Sequence, residues 1–267
     1  MPGQQKIPIC YINLSHRTDR RRLMEEQFSR FGLAAQRIEA ATPQTIEDSV
    51  VRAAQRSGTI VSPQLACTAS HQLAWKAIAE SGAPAGLVLE DDAVLSPGIM
   101  PLLTQDWPAT PAADIIRIER PARKLLLGRT EKLGAIPMRQ LLSNTAGAGS
   151  YIITAETARK LIDHPLLTTE AVDKFLFGRE GPCLFYMAVW QSVPALCEPV
   201  RAEDGTAVVS DLIPWRRGNR RGPKSLATRL RRAGNNLRYF WPTFAHIVFR
   251  QNAALHLERR DVPFMGR

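Results

Sequence analysis

Three consecutive carboxylates follow a short apolar run near the first third of the chain. Residues 86–89 (GLVL) predict a buried strand, because they are apolar and lie between Pro84 and the acids Glu90, Asp91 and Asp92. Side chains of a strand alternate between its faces, so Glu90 and Asp92 are expected to point one way and Asp91 the other. Such negative charge at the end of a buried strand is costly without a cation. The triplet therefore predicts Mn²⁺ or Mg²⁺ bound by Asp92 and Glu90, directly or through water; the alternative interpretation is a solvated turn.

Strand-like and helix-like segments alternate along the chain. A β-strand followed by a helix that Gly32 ends is predicted near the N-terminus, and a second helix runs from Pro63 to Gly82. That first strand spans residues 7–14 (IPICYINL), and further strands are predicted at residues 114–118 (DIIRI) and 150–153 (SYII), the last followed by a helix over 155–163 that Thr154 caps. This order predicts the α/β class, with a mainly parallel sheet flanked by helices on both faces.

Positive charge is concentrated at the end of the chain. Residues 215–267 hold 13 Lys and Arg against 2 Asp and Glu, whereas the preceding residues hold 22 against 23. This change in charge predicts a main domain over residues 6–213, followed by a basic tail over residues 214–267 that is expected to be helical. Large aromatic residues follow the arginines of this tail: Tyr239, Phe240, Trp241, Phe244 and Phe249.

Several classes of protein are disfavoured by composition. The polar residues 1–6 lack the basic start and apolar run of a secretory signal, and no apolar run of about 18 residues predicts a membrane span. The four cysteines lie far apart and form no CxxC pair, which argues against a zinc knuckle or a disulfide framework. We therefore expect a cytoplasmic location.

Several ordered motifs carry a resemblance to one family. Residues 11–14 (YINL) with Arg17 and Arg20, residues 66–75 (ACTASHQLAW) and residues 87–94 (LVLEDDAV) resemble motifs of glycosyltransferase family 25. Later segments resemble further motifs of the same family, in the same order: residues 118–119 (IE), 145–153 (TAGAGSYII), 171–173 (AVD) and 194–197 (PALC). The resemblance covers roughly residues 6–211.

The resemblance implies a fold, a reaction and partners. The fold would be a GT-A-like nucleotide-binding domain whose acidic motif holds the metal. The reaction would be an inverting transfer of a hexose, most commonly galactose, from a UDP-sugar donor. The acceptor would be a lipid-linked oligosaccharide of lipopolysaccharide or lipooligosaccharide, at the inner face of the cytoplasmic membrane.

Two carboxylates within the matched motifs are candidates for the catalytic base. Asp173 is preferred because it precedes the aromatic residues Phe175 and Phe177, which could form an acceptor wall. Its alternative roles are to cap the next helix or to bind a sugar hydroxyl. Glu119 is the second candidate, and it could equally bind the donor sugar.

Contacts to the UDP-sugar are expected from three segments. Asn13 and Leu14 would contact the base or ribose by analogy with the family, whereas Arg17 and Arg20 could reach phosphates or lie at a solvated helix start. Ser70 could contact phosphate or face outward. His71, four residues after Cys67, could join a metal site, but packing within the core is favoured. The last two candidates, which would let backbone approach the sugar, are Gly147 and Gly149.

The basic aromatic tail is expected to attach the enzyme to an anionic membrane surface, since rings suit the headgroup boundary and arginines pair with phosphates. Packing of the aromatics on the catalytic domain is the alternative. Two other functions stay open: a metal-dependent nucleotidyltransferase, and a non-enzymatic nucleic-acid-binding protein that uses the tail. No nucleic-acid-binding motif accompanies the charge, so nucleic acid is not an expected partner.

Overall fold

The computed structural model describes residues 5–46, 63–107, 112–179, 181–200, 226, 230, 233–237 and 257–266. The strands are β1 (Ile9–Asn13), β2 (Gln36–Glu39), β3 (Ala85–Glu90), β4 (Ala93–Leu95), β5 (Ile115–Arg117), β6 (Leu125–Leu133), β7 (Ile136–Leu141), β8 (Ser150–Thr154), β9 (Val189–Ser192), β10 (Cys197–Pro199) and β11 (Glu258–Arg260). The α-helices are α1 (Thr18–Phe31), α2 (Pro63–Glu80), α3 (Met100–Thr104), α4 (Ala155–Leu161), α5 (Val172–Phe177) and α6 (Cys183–Tyr186). Two short 3₁₀ helices span Pro97–Ile99 and Pro165–Thr168.

The large sheet is mixed, which corrects the prediction of a mainly parallel one. Its nine described strands run in the order β11-β6-β7-β9-β5-β8-β3-β1-β2. Strand β1 is parallel to β2 and β3, and β5 is parallel to β9, but β8 lies antiparallel between β3 and β5. The hairpin of β6 and β7 adds further antiparallel pairs. Strand direction depends on these distant pairings, which local apolar patterns do not encode.

Helices cover both faces of the sheet, as predicted. On one face α1 buries Met24 and Phe28 against Tyr11, and Gly32 ends that helix in the left-handed region at φ 64°. On the other face α2 buries Trp75 and Ile78. The alternation of β-strand side chains separates these two cores, because successive residues of each central strand belong to opposite faces.

The apolar residues Leu73, Ala74, Ala77 and Ile78 repeat with helical spacing in α2, but not all of them are buried. Ala74 and Ile78 are fully buried, whereas Leu73 is 44% exposed. The buried face instead includes His71 and Trp75, which lie one helical turn apart on the side toward the sheet. This rotation of the helix brings His71 toward the end of β3.

The last ten described residues pack on the main body of the fold, which the described residues before 201 form, although the sequence analysis assigned them to the tail. Strand β11 pairs antiparallel with β6 at the sheet edge, and Met265 N–H donates to the Ala195 carbonyl. Asn235, within the helical residues 233–237, also contacts the body by donating to the carbonyls of Arg179 and Gly181. The aromatic cluster over residues 239–249 lies outside the described residues. Among the described helices, none combines the length and hydropathy that crossing a bilayer requires.

Candidate functional site

A small pocket lies where β3 and β5 end and β8 begins. Because β8 runs antiparallel to both neighbours, its first residues meet their carboxyl ends at one edge of the sheet. The pocket has a volume of about 90 Å³ and is lined by Glu90, Asp92, Ala93, Glu119, Gly147, Gly149, Cys197 and Pro199. Five residues that the sequence singled out are therefore brought together here: Glu90, Asp92, Glu119, Gly147 and Gly149.

The acidic triplet divides between two roles, as the predicted alternation requires. Glu90 and Asp92 line the pocket. Asp91 is 8% exposed and points away; it accepts hydrogen bonds from Asn13 Nδ2 at 2.8 Å and from Arg20 Nη1 at 2.9 Å. Asp91 thus ties the triplet to β1 and α1, while its two neighbours present oxygen atoms to the pocket.

Glu119 is fixed by the glycine segment that precedes β8. Its Oε2 accepts the Gly149 N–H at 2.7 Å, and its Oε1 lies 3.2 Å from Arg117 Nη2. Gly147 has φ 87°, and a Cβ there would lie 2.5 Å from Glu119 Oε1, so both backbone conformation and space require glycine. The close approach predicted for these glycines is therefore made to the Glu119 carboxylate.

Arg117 is a functional residue that the sequence analysis missed. Its side chain is fully buried on β5, and its guanidinium donates to the Glu119 carbonyl at 2.6 Å, to Gln191 Oε1 at 3.0 Å and to the Ala146 carbonyl at 3.2 Å. It thereby holds the Glu119 backbone and the glycine segment together. The available signal was an arginine within the apolar strand sequence DIIRI, since a charge in a buried strand needs a partner.

Burial and neighbouring charges shift the pKa values of the three pocket carboxylates. Burial, and then the negative charge of Glu90, raise the pKa of Asp92 to about 7. Burial also raises the pKa of Glu119, with Glu90 adding to the effect and Arg117 opposing it. Burial acts to raise the pKa of Glu90 too, but the hydrogen bond from His71, together with the charge of Arg20, outweighs it and lowers the pKa. Clustered oxygen donors of this kind suit a hard divalent cation.

The predicted nucleotide contacts at the start of α1 are already engaged within the protein. Asn13 is fully buried: its Nδ2 donates to Asp91 and to the Arg17 carbonyl, and its Oδ1 accepts from Arg37. The Arg17 guanidinium pairs with Asp19. Leu14 follows directly after β1 and does not line the pocket. Arg20 Nη1 lies 3.9 Å from Asp92 Oδ2, and Arg20 Nη2 is buried without a hydrogen-bond partner in the described part of the chain.

Ser70 and His71 on α2 are buried and make internal contacts. Ser70 donates to the Ala66 carbonyl at 2.8 Å and accepts the Ala41 N–H at 2.9 Å, which joins α2 to the segment after β2. His71 lies between Tyr151 and Glu90. One nitrogen and one oxygen of His71 and Glu90, with Cys67 Sγ, lie within 4.8 Å of one another. The structure thus adds a third potential ligand to the Cys67 and His71 pair.

Asp173 lies in the first turn of α5, away from the pocket lining. Its Oδ1 accepts the N–H of Lys174 at 2.9 Å. Phe175 and Phe177 are fully buried, so the acceptor wall predicted from these aromatics is part of the core instead. A role of Asp173 as base stays a prediction.

Comparison with known proteins adds a family and relatives. The family model described as "Glycosyltransferase family 25 (LPS biosynthesis protein)" matches residues 6–176. The chain is 29% identical over 208 residues to the lacto-N-neotetraose biosynthesis glycosyltransferase LgtE of Neisseria gonorrhoeae, covering 70% of this chain and 71% of that one. It is 30% identical over 211 residues to LgtB of Neisseria meningitidis serogroup B, covering 70% and 73%.

A more distant likeness is to the crystal structure of a glycosyltransferase involved in glycosylation of the major capsid of PBCV-1. The TM-score is 0.34 and the identity 14%, over 64% of this chain and 73% of that one. A likeness at this level carries no structural argument.

Replacing Asp92 by asparagine is expected to stabilise the metal-free protein, and more so at pH 8 than at pH 5. A carboxyl whose pKa rises on folding, here from 3.8 to about 7, holds its proton more tightly in the folded state, so stability falls as pH rises between those values. The gain in free energy of unfolding at pH 8 is at most about 4 kcal/mol. Urea denaturation with EDTA measures it.

The exposed Asp163→Asn variant is the matched control and should not change stability at either pH. A loss of stability in Asp92→Asn, or a gain that does not grow with pH, would contradict the raised pKa of Asp92.

Proposed function

The chain belongs to glycosyltransferase family 25, and from that membership we propose that it is a metal-dependent, inverting hexosyltransferase of GT-A type. The donor in this proposal is a UDP-sugar, with UDP-galactose as the first candidate, and the acceptor is a lipid-linked oligosaccharide of lipopolysaccharide or lipooligosaccharide. The observation that carries it is the convergence of Glu90, Asp92 and Glu119 on one pocket at the carboxyl ends of β3 and β5. Ligands of open α/β sheets bind at this edge.

The relatives support the substrate class in this proposal. LgtE and LgtB are named for lacto-N-neotetraose biosynthesis, and the family description refers to lipopolysaccharide biosynthesis. Both point to a saccharide acceptor. Family membership also favours glycosyl transfer over the nucleotidyltransferase and nucleic-acid-binding alternatives.

The pocket residues fit a divalent cation. Three carboxylates supply oxygen ligands, and burial followed by the negative charge of Glu90 raises the pKa of Asp92, which a cation would oppose. We propose Glu90 and Asp92 as the residues that hold Mn²⁺ or Mg²⁺. When bound, the cation would neutralise charge on the departing diphosphate.

The remaining chemistry falls to the protein's own residues. Arg20, whose Nη1 lies 3.9 Å from Asp92 Oδ2 and whose Nη2 has no hydrogen-bond partner among the described residues, can bind a diphosphate oxygen. Since the pocket of about 90 Å³ is much smaller than a nucleotide cleft of ~300–1,000 Å³, the sugar and uridine extend beyond it. In the transfer, the anomeric C–O bond to the diphosphate breaks as the acceptor oxygen attacks from the opposite face, and a base takes the acceptor proton.

In this proposal Asp173 is the catalytic base, and Glu119 contacts the donor sugar. Glu119 shares a pocket with the cation ligands, which favours a place beside the donor. Asp173 lies outside that pocket lining, which suits a base that faces the acceptor.

The first prediction of the proposal concerns donor turnover. Purified protein with Mn²⁺, acceptor extract and a panel of UDP-sugars should release UDP from UDP-galactose or UDP-glucose, and EDTA should abolish release. Asp92→Asn should lower turnover by at least about 100-fold because the leaving diphosphate loses its counter-charge. Asp163→Asn should turn over normally. If every nucleotide sugar is ignored with acceptor present, or if diphosphate is the product, the proposal is wrong.

The second prediction separates the two candidate bases. Asp173→Asn should lower transfer by about 10²–10⁴-fold while UDP-sugar affinity is unchanged, because a base acts after the donor has bound. Glu119→Gln should weaken UDP-sugar binding, which calorimetry with Mn²⁺ measures. Full transfer activity in Asp173→Asn would exclude that residue as the base.

We also propose that the basic tail (residues 214–267) attaches the enzyme to the inner face of the cytoplasmic membrane. Leu226, Leu230 and Leu237 are 70%, 65% and 74% exposed, amid 13 Lys and Arg residues in the last 53 positions. Asn235 is 2% exposed and bonds to the body, so Leu237 stands outward beside an anchored residue. Exposed leucines with basic neighbours suit an anionic lipid interface.

The double variant Leu230→Ser, Leu237→Ser should bind anionic liposomes at least about tenfold more weakly in co-sedimentation, because the apolar contribution is lost. Leu73→Ser, which removes an exposed leucine of α2, is the matched control and should bind normally. Raising the salt concentration should weaken liposome binding of the wild-type protein and of both variants. Preference for random DNA over liposomes at matched salt would contradict membrane attachment.

A further inference from the structure

A chain of hydrogen bonds runs from the core to the back of Glu90. Trp75 Nε1 donates to Tyr151 Oη at 2.7 Å, Tyr151 Oη lies 2.8 Å from His71 Nδ1, and His71 Nε2 lies 3.3 Å from Glu90 Oε1. Trp75 and His71 are one turn apart on α2, and Tyr151 is on β8. The three aromatic residues are fully buried, so water does not compete for these bonds.

The direction of each bond follows from the donors available. An indole N–H can only donate, so the Tyr151 oxygen accepts from Trp75. Among the described residues, His71 Nδ1 is the acceptor within reach of the Tyr151 hydroxyl hydrogen. Burial raises the pKa of Tyr151 well above its usual value, so that hydrogen is retained. Neutral His71 must then carry its proton on Nε2, the nitrogen that faces Glu90.

The chain also orients the Glu90 carboxylate. Its Oε1 is held from behind by His71 and by the Cys67 thiol, whose Sγ lies 3.9 Å away. Its Oε2 is turned toward Gly149, where a Cβ would lie 3.8 Å from that oxygen, and Gly149 lines the pocket. One oxygen is therefore occupied inside the protein and the other is presented to the pocket.

We infer that Trp75, Tyr151 and His71 form a positioning relay that presents a single oxygen of Glu90 to the cation, with His71 as the residue that acts on the carboxylate. This inference rests on the proposed function, since it concerns the proposed metal ligand. It assigns His71 a role through Glu90, distinct from the cosubstrate contact or metal ligation considered from sequence. Hydrogen bonds to ligating carboxylates orient them for the metal.

The first test reads the tautomer directly and needs no activity. In protein labelled with ¹⁵N-histidine, the His71 ring should show a protonated Nε2 and an unprotonated Nδ1, with and without Mg²⁺; loss of the signal in His71→Asn assigns it. Tyr151→Phe should shift the ring toward a mixture of tautomers, because the donor to Nδ1 is gone. A protonated Nδ1 in the wild-type protein would overturn the relay.

The second test uses two variants that split the two bonds of His71. In His71→Gln the side-chain amide reaches the position of Nε2 and can still donate to Glu90. In His71→Asn the shorter amide replaces Nδ1, so it keeps Tyr151 as a partner and does not reach Glu90. Calorimetry should show Mn²⁺ affinity lowered about 10–100-fold in His71→Asn and only a few-fold in His71→Gln.

Turnover should follow the same order. The Mn²⁺ concentration for half-maximal activity should rise in His71→Asn, while kcat at saturating Mn²⁺ changes less. Tyr151→Phe, which keeps the ring and its packing, serves if His71→Asn does not fold, and it should lower Mn²⁺ affinity in the wild-type background but not in His71→Gln.

The outcomes separate the relay from the function on which it rests. Equal Mn²⁺ affinity in the wild-type, His71→Asn and His71→Gln proteins would overturn the relay alone. Absence of Mn²⁺ and Mg²⁺ binding in the wild-type protein would overturn the relay and the proposed metal site together. Stoichiometric zinc that is lost in Cys67→Ala would show that Cys67, His71 and Glu90 ligate a soft metal instead, which also overturns the relay.

Discussion

Mutual repulsion among Glu90, Asp92 and Glu119 is the constraint on which the arrangement of the site depends. Burial and the neighbouring negative charge both favour protonation in this pocket, and together they raise the pKa of Asp92 to about 7. Neighbouring side chains offset this cost. His71 contacts Glu90, Arg20 pairs with Asp91 and Asp92, and Arg117 pairs with Glu119. These supports come from α2, α1 and β5, so the core on both faces of the sheet must be in place before the carboxylates can be held together.

The mixed strand directions of the sheet bring the glycine segment before β8 to the pocket carboxylates. A strand parallel to β3 and β5 at the position of β8 would begin at the opposite edge of the sheet, far from Glu90 and Glu119. Because β8 is antiparallel, the glycines that precede it arrive at the pocket, where Gly149 N–H binds Glu119 and the Gly149 carbonyl accepts the Glu90 N–H. One reversal of strand direction thus links the two acidic segments through backbone bonds. It also places Tyr151, two residues further on, behind Glu90.

Local sequence patterns predicted much of the fold and of the pocket, but they did not predict the contacts between distant segments. The strands that became β1, β3, β5 and β8, the end of α1 at Gly32 and the opposite orientations of Asp91 and Asp92 each follow from spacing within a few residues. The pairing of β11 with β6, the bonds of Arg117 and the chain from Trp75 to Glu90 depend on which segments become neighbours in space. Asn13 and Ser70 lie in motifs of the family, but their side chains form hydrogen bonds within the protein that the motifs do not predict.

Residues 201–256 follow directly after the site in the sequence and lead directly into the strand at the sheet edge. The chain leaves the described catalytic body at Val200, whose N–H donates to the Asp92 carbonyl, and it returns at Leu257, directly before β11. Under the proposed membrane attachment, the exposed Leu226, Leu230 and Leu237, which lie between these two points of the sequence, would hold the enzyme at the lipid surface. Because a lipid-linked acceptor is confined to that surface, attachment there would raise its effective concentration at the site without any contact to the sugar itself.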